Sequence, residues 1–232
     1  MASAKTIGLI GGMSWESTST YYRLINEGIA ERLGGLHSAP MILWSVDFAP
    51  IETMQREGRW DEAGEALATI AVRLERAGAQ IILLATNTMH KVAEQIGGRI
   101  SVPFLHIADV SARAIRARGL DRAGLLGTRF TMEEAFYRAK IEEHGIAVLV
   151  PEEADRALVD GVIFRELCLG RIHRESREAF VRVMDALERR GAECIIAGCT
   201  EIGMLVGPGD TSLPFFDTTR LHAEAAVEAA LA

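Results

Sequence analysis

One segment occurs twice in this chain, and it limits the folds that the chain can adopt. Residues 74–86 read LERAGAQIILLAT, and residues 187–199 read LERRGAECIIAGC. Each copy has the pattern of a helix end, a glycine stop, a short apolar strand and then a polar residue. Strands that alternate with helices predict a parallel α/β sheet, in which ligands bind at the carboxyl ends of the strands.

Further matches follow in the same order along the chain, which indicates an internal duplication. The sequence IGLIG at 7–11 returns as AGLLG at 123–127. The pair Pro-Phe at 103–104 returns at 214–215. A generic likeness between ordinary βαβ units is the alternative explanation.

The duplication predicts an α/β protein of two pseudosymmetric, doubly wound αβα lobes. We expect mainly parallel sheets and an active site in the cleft between the lobes. The first lobe is expected to comprise residues 1–107 together with 215–232, and the second lobe residues 108–214.

Composition excludes several classes of function. With 232 residues, 49% of them hydrophobic, the chain is long enough to bury an ordinary core. A formal net charge of -7 gives no basic surface for nucleic acid or an anionic membrane. The apolar run at 6–10 is too short for a signal peptide or a membrane span. Only three cysteines argue for reduced thiols, so we expect a cytoplasmic protein without nucleic-acid or membrane partners.

A glycine-rich loop follows the first predicted strand. Residues 8–14 read GLIGGMS and precede a helical pattern, so backbone N–H groups at this point would suit an anion such as a carboxylate. The spacing is neither G-x-G-x-x-G nor that of a P-loop, which argues against a nucleotide. The alternative is that the glycines only permit a tight turn.

Small polar residues follow both copies of the doubled strand, as Thr-Asn-Thr at 86–88 and Cys-Thr-Glu at 199–201. Plain capping of the next helix is the alternative to a ligand site. A thiol at a helix N-terminus has a lowered pKa, which makes Cys199 a candidate base or nucleophile. Cys194 lies within the strand and Cys168 on an apolar helix face, so we expect both to serve packing.

Three more side chains are candidates for the same site. Gln55 and Arg56 are expected in a loop at a strand's carboxyl end, where they could clamp a carboxylate. His90 lies one helical turn after Thr86 and either approaches the same site or is solvated. The histidines and cysteines show no zinc-binding spacing, so no metal site is expected.

Taken together, GGMS at 11–14, TNT at 86–88 and GCTE at 198–201 resemble the aspartate/glutamate racemase family, whose usual signatures are Cys-Asn-Thr and Gly-Cys-Thr. The chain is most similar to the subgroup described as L-aspartate/glutamate-specific or broad-specificity amino-acid racemases. The resemblance implies an amino-acid substrate, two lobes with the site between them, neither pyridoxal phosphate nor a metal, and a homodimer.

The resemblance also assigns roles to residues. In the family, two cysteines exchange protons with opposite faces of the substrate's α-carbon, one acting as base and the other as acid. Here the catalytic positions are Thr86 and Cys199. The substrate-binding positions are expected to be Met13, Ser14, Gln55, Asn87, Thr88, Thr128, Thr200 and Glu201.

Thr86 departs from the family pattern, because it stands where a cysteine is usual. A hydroxyl has no appreciable anionic fraction near neutral pH, so Thr86 is expected to relay a proton through water. The hypothesis is a racemase biased toward L-substrates, with Cys199 as base. Two alternatives remain open at this point: a single-cysteine decarboxylase or cis-trans isomerase, and a non-catalytic protein that binds acidic amino acids.

Overall fold

The computed structural model describes residues 4–232, which contain two parallel sheets of four strands each. The strands of the first sheet run in the order β2-β1-β3-β4, and those of the second in the order β6-β5-β7-β8. This shared order is that of doubly wound α/β folds and confirms the predicted fold class. The strands are β1 (Ile7–Gly11), β2 (Met41–Ser45), β3 (Ile81–Leu84), β4 (Phe104–Leu105), β5 (Arg122–Gly127), β6 (Ala147–Leu149), β7 (Cys194–Gly198) and β8 (Phe215–Asp217).

Helices connect the strands, as parallel pairing requires. Within residues 4–232, none of them is both long enough and apolar enough to cross a membrane. They are α1 (Trp15–Leu33), α2 (Phe48–Arg56), α3 (Trp60–Arg76), α4 (Ala93–Gly97), α5 (Ile107–Ala117), α6 (Arg129–Glu133), α7 (Ala135–Glu142), α8 (Glu153–Arg165), α9 (Arg174–Arg189), α10 (Ile202–Leu205) and α11 (Thr218–Leu231), with 3₁₀ turns at Thr88–Val92, Leu167–Leu169 and Pro208–Asp210.

The doubled segment folds into equivalent pieces of the two sheets. Ile81 of β3 pairs with Ile7 of β1, and Cys194 of β7 pairs with Ala123 of β5. Both strands are buried along their whole length, which explains why they read as continuous apolar runs. Each sheet therefore places the last residue of its copy just beyond the carboxyl end of its third strand in chain order.

The first sheet is covered on both faces, and the alternation of its strands decides which helix covers which face. Side chains such as Leu9 and Leu83 pack with α1 and α11, whereas Ile10 and Leu84 pack with α3. Burying one Leu or Ile side chain stabilises a fold by about 1.5–3 kcal/mol. These two apolar layers hold the carboxyl ends of β1 and β3 in place.

The described chain separates into two compact units. One runs to His106 and includes His222–Ala232, and the other is Ile107–Leu221. Residues 215–221 were expected in the first lobe, but Phe215 of β8 pairs with Ile195 of β7. The segment belongs to the second unit because Pro-Phe at 214–215 is the second copy of Pro-Phe at 103–104, and each copy begins the fourth strand of its sheet.

Candidate functional site

In the first unit, the candidate residues gather at the carboxyl ends of β1 and β3. Because β2 and β3 flank β1 on opposite sides, the connections from β1 and β3 leave in different directions, and such switch points form ligand-binding crevices. The loop after β1 carries Met13 and Ser14, each 4% exposed. The strand end of β3 carries Thr86, Asn87 and Thr88, each between 3% and 7% exposed.

The loop after β1 is held by one threonine. Thr18 Oγ1 accepts the N–H of Gly12 at 2.7 Å and donates to the carbonyl of Ser14 at 2.9 Å. Ser14 Oγ caps α1 by accepting the N–H of Ser17 at 3.3 Å. Gly12 N–H therefore serves the loop and not an anion, contrary to the expectation for that amide.

Gly12 is required in this loop for two reasons. Its φ is +93°, which is in the left-handed region that favours glycine. A Cβ at this position would also collide with the backbone of Val46, just after β2. The close approach fixes the turn that presents Met13.

The segment that follows β3 is not an α-helix capped by a side chain. A 3₁₀ turn, Thr88–Val92, follows, and Asn87 makes no capping hydrogen bond to it. Plain capping, the alternative reading of this segment, is therefore wrong for Asn87. Thr86 N–H donates to the carbonyl of Leu84 at 2.9 Å, which turns the chain tightly as it leaves the sheet.

Gln55 and Arg56 lie at the end of helix α2, not in a loop as predicted. Asp47 caps this helix by accepting the N–H of Ala49, and that signal was missed. Gln55 is 4% exposed and its Nε2 donates to Met89 Sδ at 2.9 Å, next to Thr88. Arg56 is exposed and forms an ion pair with Glu52 on the same face of α2, so only Gln55 lies beside the residues at the end of β3.

His90 is buried, which excludes the solvated alternative. It is 3% exposed, and its Nδ1 lies 2.7 Å from the carbonyl oxygen of Thr86. Burial, and then the neighbouring His106 and His222, lower the pKa of His90 well below its usual value. His90 is consequently neutral at physiological pH.

In the second unit, the end of β7 brings together a thiol, a hydroxyl and a carboxylate. Cys199 Sγ donates to Glu201 Oε2 at 3.0 Å, and Thr200 Oγ1 donates to the same oxygen at 2.6 Å. All three residues are at most 8% exposed. A carboxylate in contact with a thiol can take its proton, which is the arrangement that activates a cysteine.

The pKa of Cys199 is shifted upward, whereas the sequence predicted a downward shift. Burial, and then the charge of Glu201, raise this pKa well above its usual value. Helix α10 starts only at Ile202 and has four residues, so its dipole is too small to offset these effects. Cys199 is therefore a thiol at neutral pH until its proton is taken up by a neighbour.

The remaining candidates of the second unit are Thr128, Cys168 and Cys194. Thr128 follows β5, is 4% exposed and caps α6 by accepting the N–H of Thr131. Cys194 is buried in the core, as expected, and burial raises its pKa to about 12. Cys168 packs against the core but also hydrogen-bonds Glu201, a contact that sequence spacing could not show.

Among residues 4–232, no cluster of three or more His, Cys, Asp or Glu side chains is arranged to hold a metal ion. The side chains at the two strand ends carry thiol, hydroxyl, amide and carboxylate groups. Such groups bind small polar molecules and transfer protons.

Comparison with known proteins gives one consistent result. Residues 10–226 match the model of the Asp/Glu/Hydantoin racemase family. A broad-specificity amino-acid racemase, RacX of Bacillus subtilis, is 25% identical over 97% of this chain and 98% of its own length.

Two solved structures resemble the whole chain. A candidate Asp/Glu racemase from Yersinia pestis is 52% identical, with a TM-score of 0.92 over 98% of this chain and 100% of the other. An aspartate racemase homologue from Pyrococcus horikoshii is 34% identical, with a TM-score of 0.86 over the same shares. The chain therefore belongs to the Asp/Glu/Hydantoin racemase family and is an enzyme of the racemase class.

Proposed function

We propose that this enzyme racemises amino acids without a cofactor, with L-glutamate and L-aspartate as its first candidate substrates. The observation that carries the proposal is the buried contact between the Cys199 thiol and the Glu201 carboxylate, in a chain of this family. The similarity to an amino-acid racemase and to an aspartate racemase homologue supports the substrate class.

The reaction begins with formation of a thiolate. Cys199 passes its proton to Glu201 Oε2, and the thiolate then removes the α-proton of the L-substrate. The raised pKa of Cys199 suits this role, because a thiolate of higher pKa is a stronger base toward a weakly acidic C–H bond. Glu201 is thus assigned to the thiol in addition to the substrate contact expected from its position.

Removal of the proton leaves a carbanion that donors on the α-carboxylate must stabilise. We assign this role to Asn87 and Thr88, which follow β3, and to the backbone N–H of Thr200, which follows β7, because the Thr200 hydroxyl proton is donated to Glu201. Met13, Ser14, Gln55 and Thr128 are assigned to the remaining walls of the substrate site.

Thr86 is assigned to the return of a proton on the opposite face of the α-carbon. Its hydroxyl has no useful anionic fraction, so it delivers the proton from a water molecule that it orients. The hydroxide left by that water is neutralised by the proton held on Glu201, passed through solvent, which restores the starting protonation states. The enzyme should therefore process L-substrates faster than D-substrates. The bias lies in kinetic constants, because a catalyst leaves the equilibrium between enantiomers unchanged.

The test is incubation with L-glutamate, L-aspartate and neutral amino acids in heavy water, following α-deuterium uptake and optical inversion together. We expect both signals, and Cys199→Ser should lower both by a factor of about 10²–10⁴. Cys194→Ala, which removes a core thiol of the same strand, is the matched control and should retain both.

Two results would contradict the proposal. Exchange without inversion in the unaltered enzyme would exclude racemisation of that substrate. Absence of exchange from every amino acid, combined with turnover of an α-disubstituted malonate or of maleate, would favour the decarboxylase or cis-trans isomerase alternative.

A further inference from the structure

We propose that His90 is a positioning residue, which sets the geometry of Thr86 through a hydrogen bond to its backbone. The inference deepens the proposed function, since it rests on the proton-returning role of Thr86. A carbonyl oxygen only accepts hydrogen bonds, and the His90 ring contacts the carbonyls of both Thr86 and Leu105. The neutral ring has one proton, and we assign it to Nδ1, which lies 2.7 Å from the Thr86 oxygen. The 3₁₀ turn creates this contact by carrying His90 back over the residue four positions before it.

The surroundings of His90 keep it in this neutral form. Its ring centroid lies 4.6 Å from that of His106, which follows β4, and 5.9 Å from that of His222 on α11. His222 Nε2 donates to the carbonyl of Leu105 at 2.9 Å, so its Nδ1 accepts from Tyr21 of α1, also at 2.9 Å. Burial brings the pKa of His222 to about 4, and His90 is therefore flanked by a neutral His222.

The hydrogen bond completes a set that fixes the strand end of β3. Thr86 N–H is bound to Leu84, the carbonyl of Ala85 accepts from Ser17 Oγ at 3.3 Å, and the carbonyl of Thr86 accepts from His90. With the peptide units on both sides of Thr86 held, the direction of its Cα–Cβ bond is fixed. The hydroxyl that is to orient a water molecule depends on that direction.

Two amide substitutions at His90 distinguish a role in positioning Thr86 from a role in packing alone. An Asn side chain places an N–H near the position of His Nδ1, whereas a Gln side chain places it near that of Nε2. His90→Asn should therefore keep the bond to Thr86, and His90→Gln should lose it. A purely structural role would make both variants defective, since both are polar and smaller than His.

The experiment measures inversion and α-deuterium uptake for L-glutamate and L-aspartate with the unaltered enzyme and both variants. His90→Gln should reduce inversion about 10–100-fold while uptake through Cys199 changes by less than about threefold. His90→Asn should restore inversion to within about threefold of the unaltered enzyme. His37→Gln, at an exposed position, is the surface control. Equal losses in the two amide variants, or equal losses of uptake and inversion, would overturn the inference.

An NMR measurement makes the result independent of activity. With ¹³C-labelled threonine, the methyl and carbonyl resonances of Thr86 should move in His90→Gln and stay in place in His90→Asn. Unmoved resonances in both variants would overturn the inference. If the resonances change as expected but the unaltered enzyme exchanges no substrate, the positioning of Thr86 by the His90 hydrogen bond is supported and the proposed function is contradicted.

Discussion

Replacing Glu201 by Gln should separate the acidity of Cys199 from the rate of the reaction. The two side chains have nearly the same shape, and the Gln oxygen can still accept from Thr200 Oγ1. What is lost is a negative charge 3.0 Å from Cys199 Sγ and a group able to take its proton. A thiolate and a carboxylate at that distance repel by on the order of 5 kcal/mol at an effective dielectric constant of about 20. This repulsion is one reason why the pKa of Cys199 is raised.

The substitution should move two measured quantities in opposite directions. Because the charge of Glu201 raises the pKa of Cys199, its removal should lower that pKa and increase alkylation of Cys199 by iodoacetamide at pH 7. Turnover of L-glutamate should nevertheless fall by a factor of about 10²–10⁴, because the Gln amide cannot accept the thiol proton.

Alkylation is followed by mass spectrometry. Cys168 lies in a different tryptic peptide, whereas Cys194 and Cys199 share residues 191–220 and are distinguished by fragment ions that cleave between them. Glu193→Gln is the matched control, since Glu193 just precedes the same strand and bonds the N–H groups of Asp121 and Arg122. It should leave both quantities unchanged. The reasoning is refuted if Glu201→Gln turns over substrate at the normal rate, or if alkylation and turnover fall together.

Three further predictions follow from the described contacts. Thr86→Cys should raise turnover of D-glutamate or D-aspartate, because a thiol at that position can act as a base; steady-state kinetics with both enantiomers measure it, and no gain would weaken the placement of Thr86. Gly12→Ala should lower the free energy of unfolding by about 1–3 kcal/mol, since Ala is strained at a φ of +93° and its Cβ would meet Val46. Urea titration measures this loss. Gly209→Ala is the control, because a Cβ there meets no atom within 4 Å. The free energy of unfolding should fall as pH drops from about 6.5 to about 4, because His222 becomes protonated in the unfolded state but stays neutral in the folded state. The slope for this residue should approach about 1.4 kcal/mol per pH unit. Urea midpoints at several pH values measure it, and a slope unaltered in His222→Gln would contradict the assignment.

The internal repeat made much of the fold predictable. Strands form at the apolar runs, and the doubled segment predicts that Thr86 and Cys199 follow corresponding strands. The predicted lobe boundary near residue 215 was misplaced, because the sequence pattern of a strand at a boundary does not show which of the two sheets that strand joins. Only the pairing of Phe215 with Ile195 assigns β8 to the second sheet.

The candidate side chains were predictable by type but not by environment. Gln55 and Arg56 are neighbours in sequence, yet one is buried against Met89 and the other is exposed, because adjacent residues on a helix point about 100° apart. The direction of the pKa shift of Cys199 was likewise wrong, since spacing reveals a helix start but not the burial around the thiol.

The sequence by itself determined the duplicated α/β architecture and the strand ends where polar residues lie, and its resemblance to the racemase family predicts that Thr86 stands where a cysteine is usual. These follow from local pattern, which the chain carries along its length. Tertiary structure alone decided that Glu201 faces Cys199, that Cys168 reaches the same carboxylate, and that three histidines from separate segments meet beside Thr86. Such contacts depend on how side chains are desolvated and brought together by folding, and electrostatic effects in a buried site depend on that arrangement.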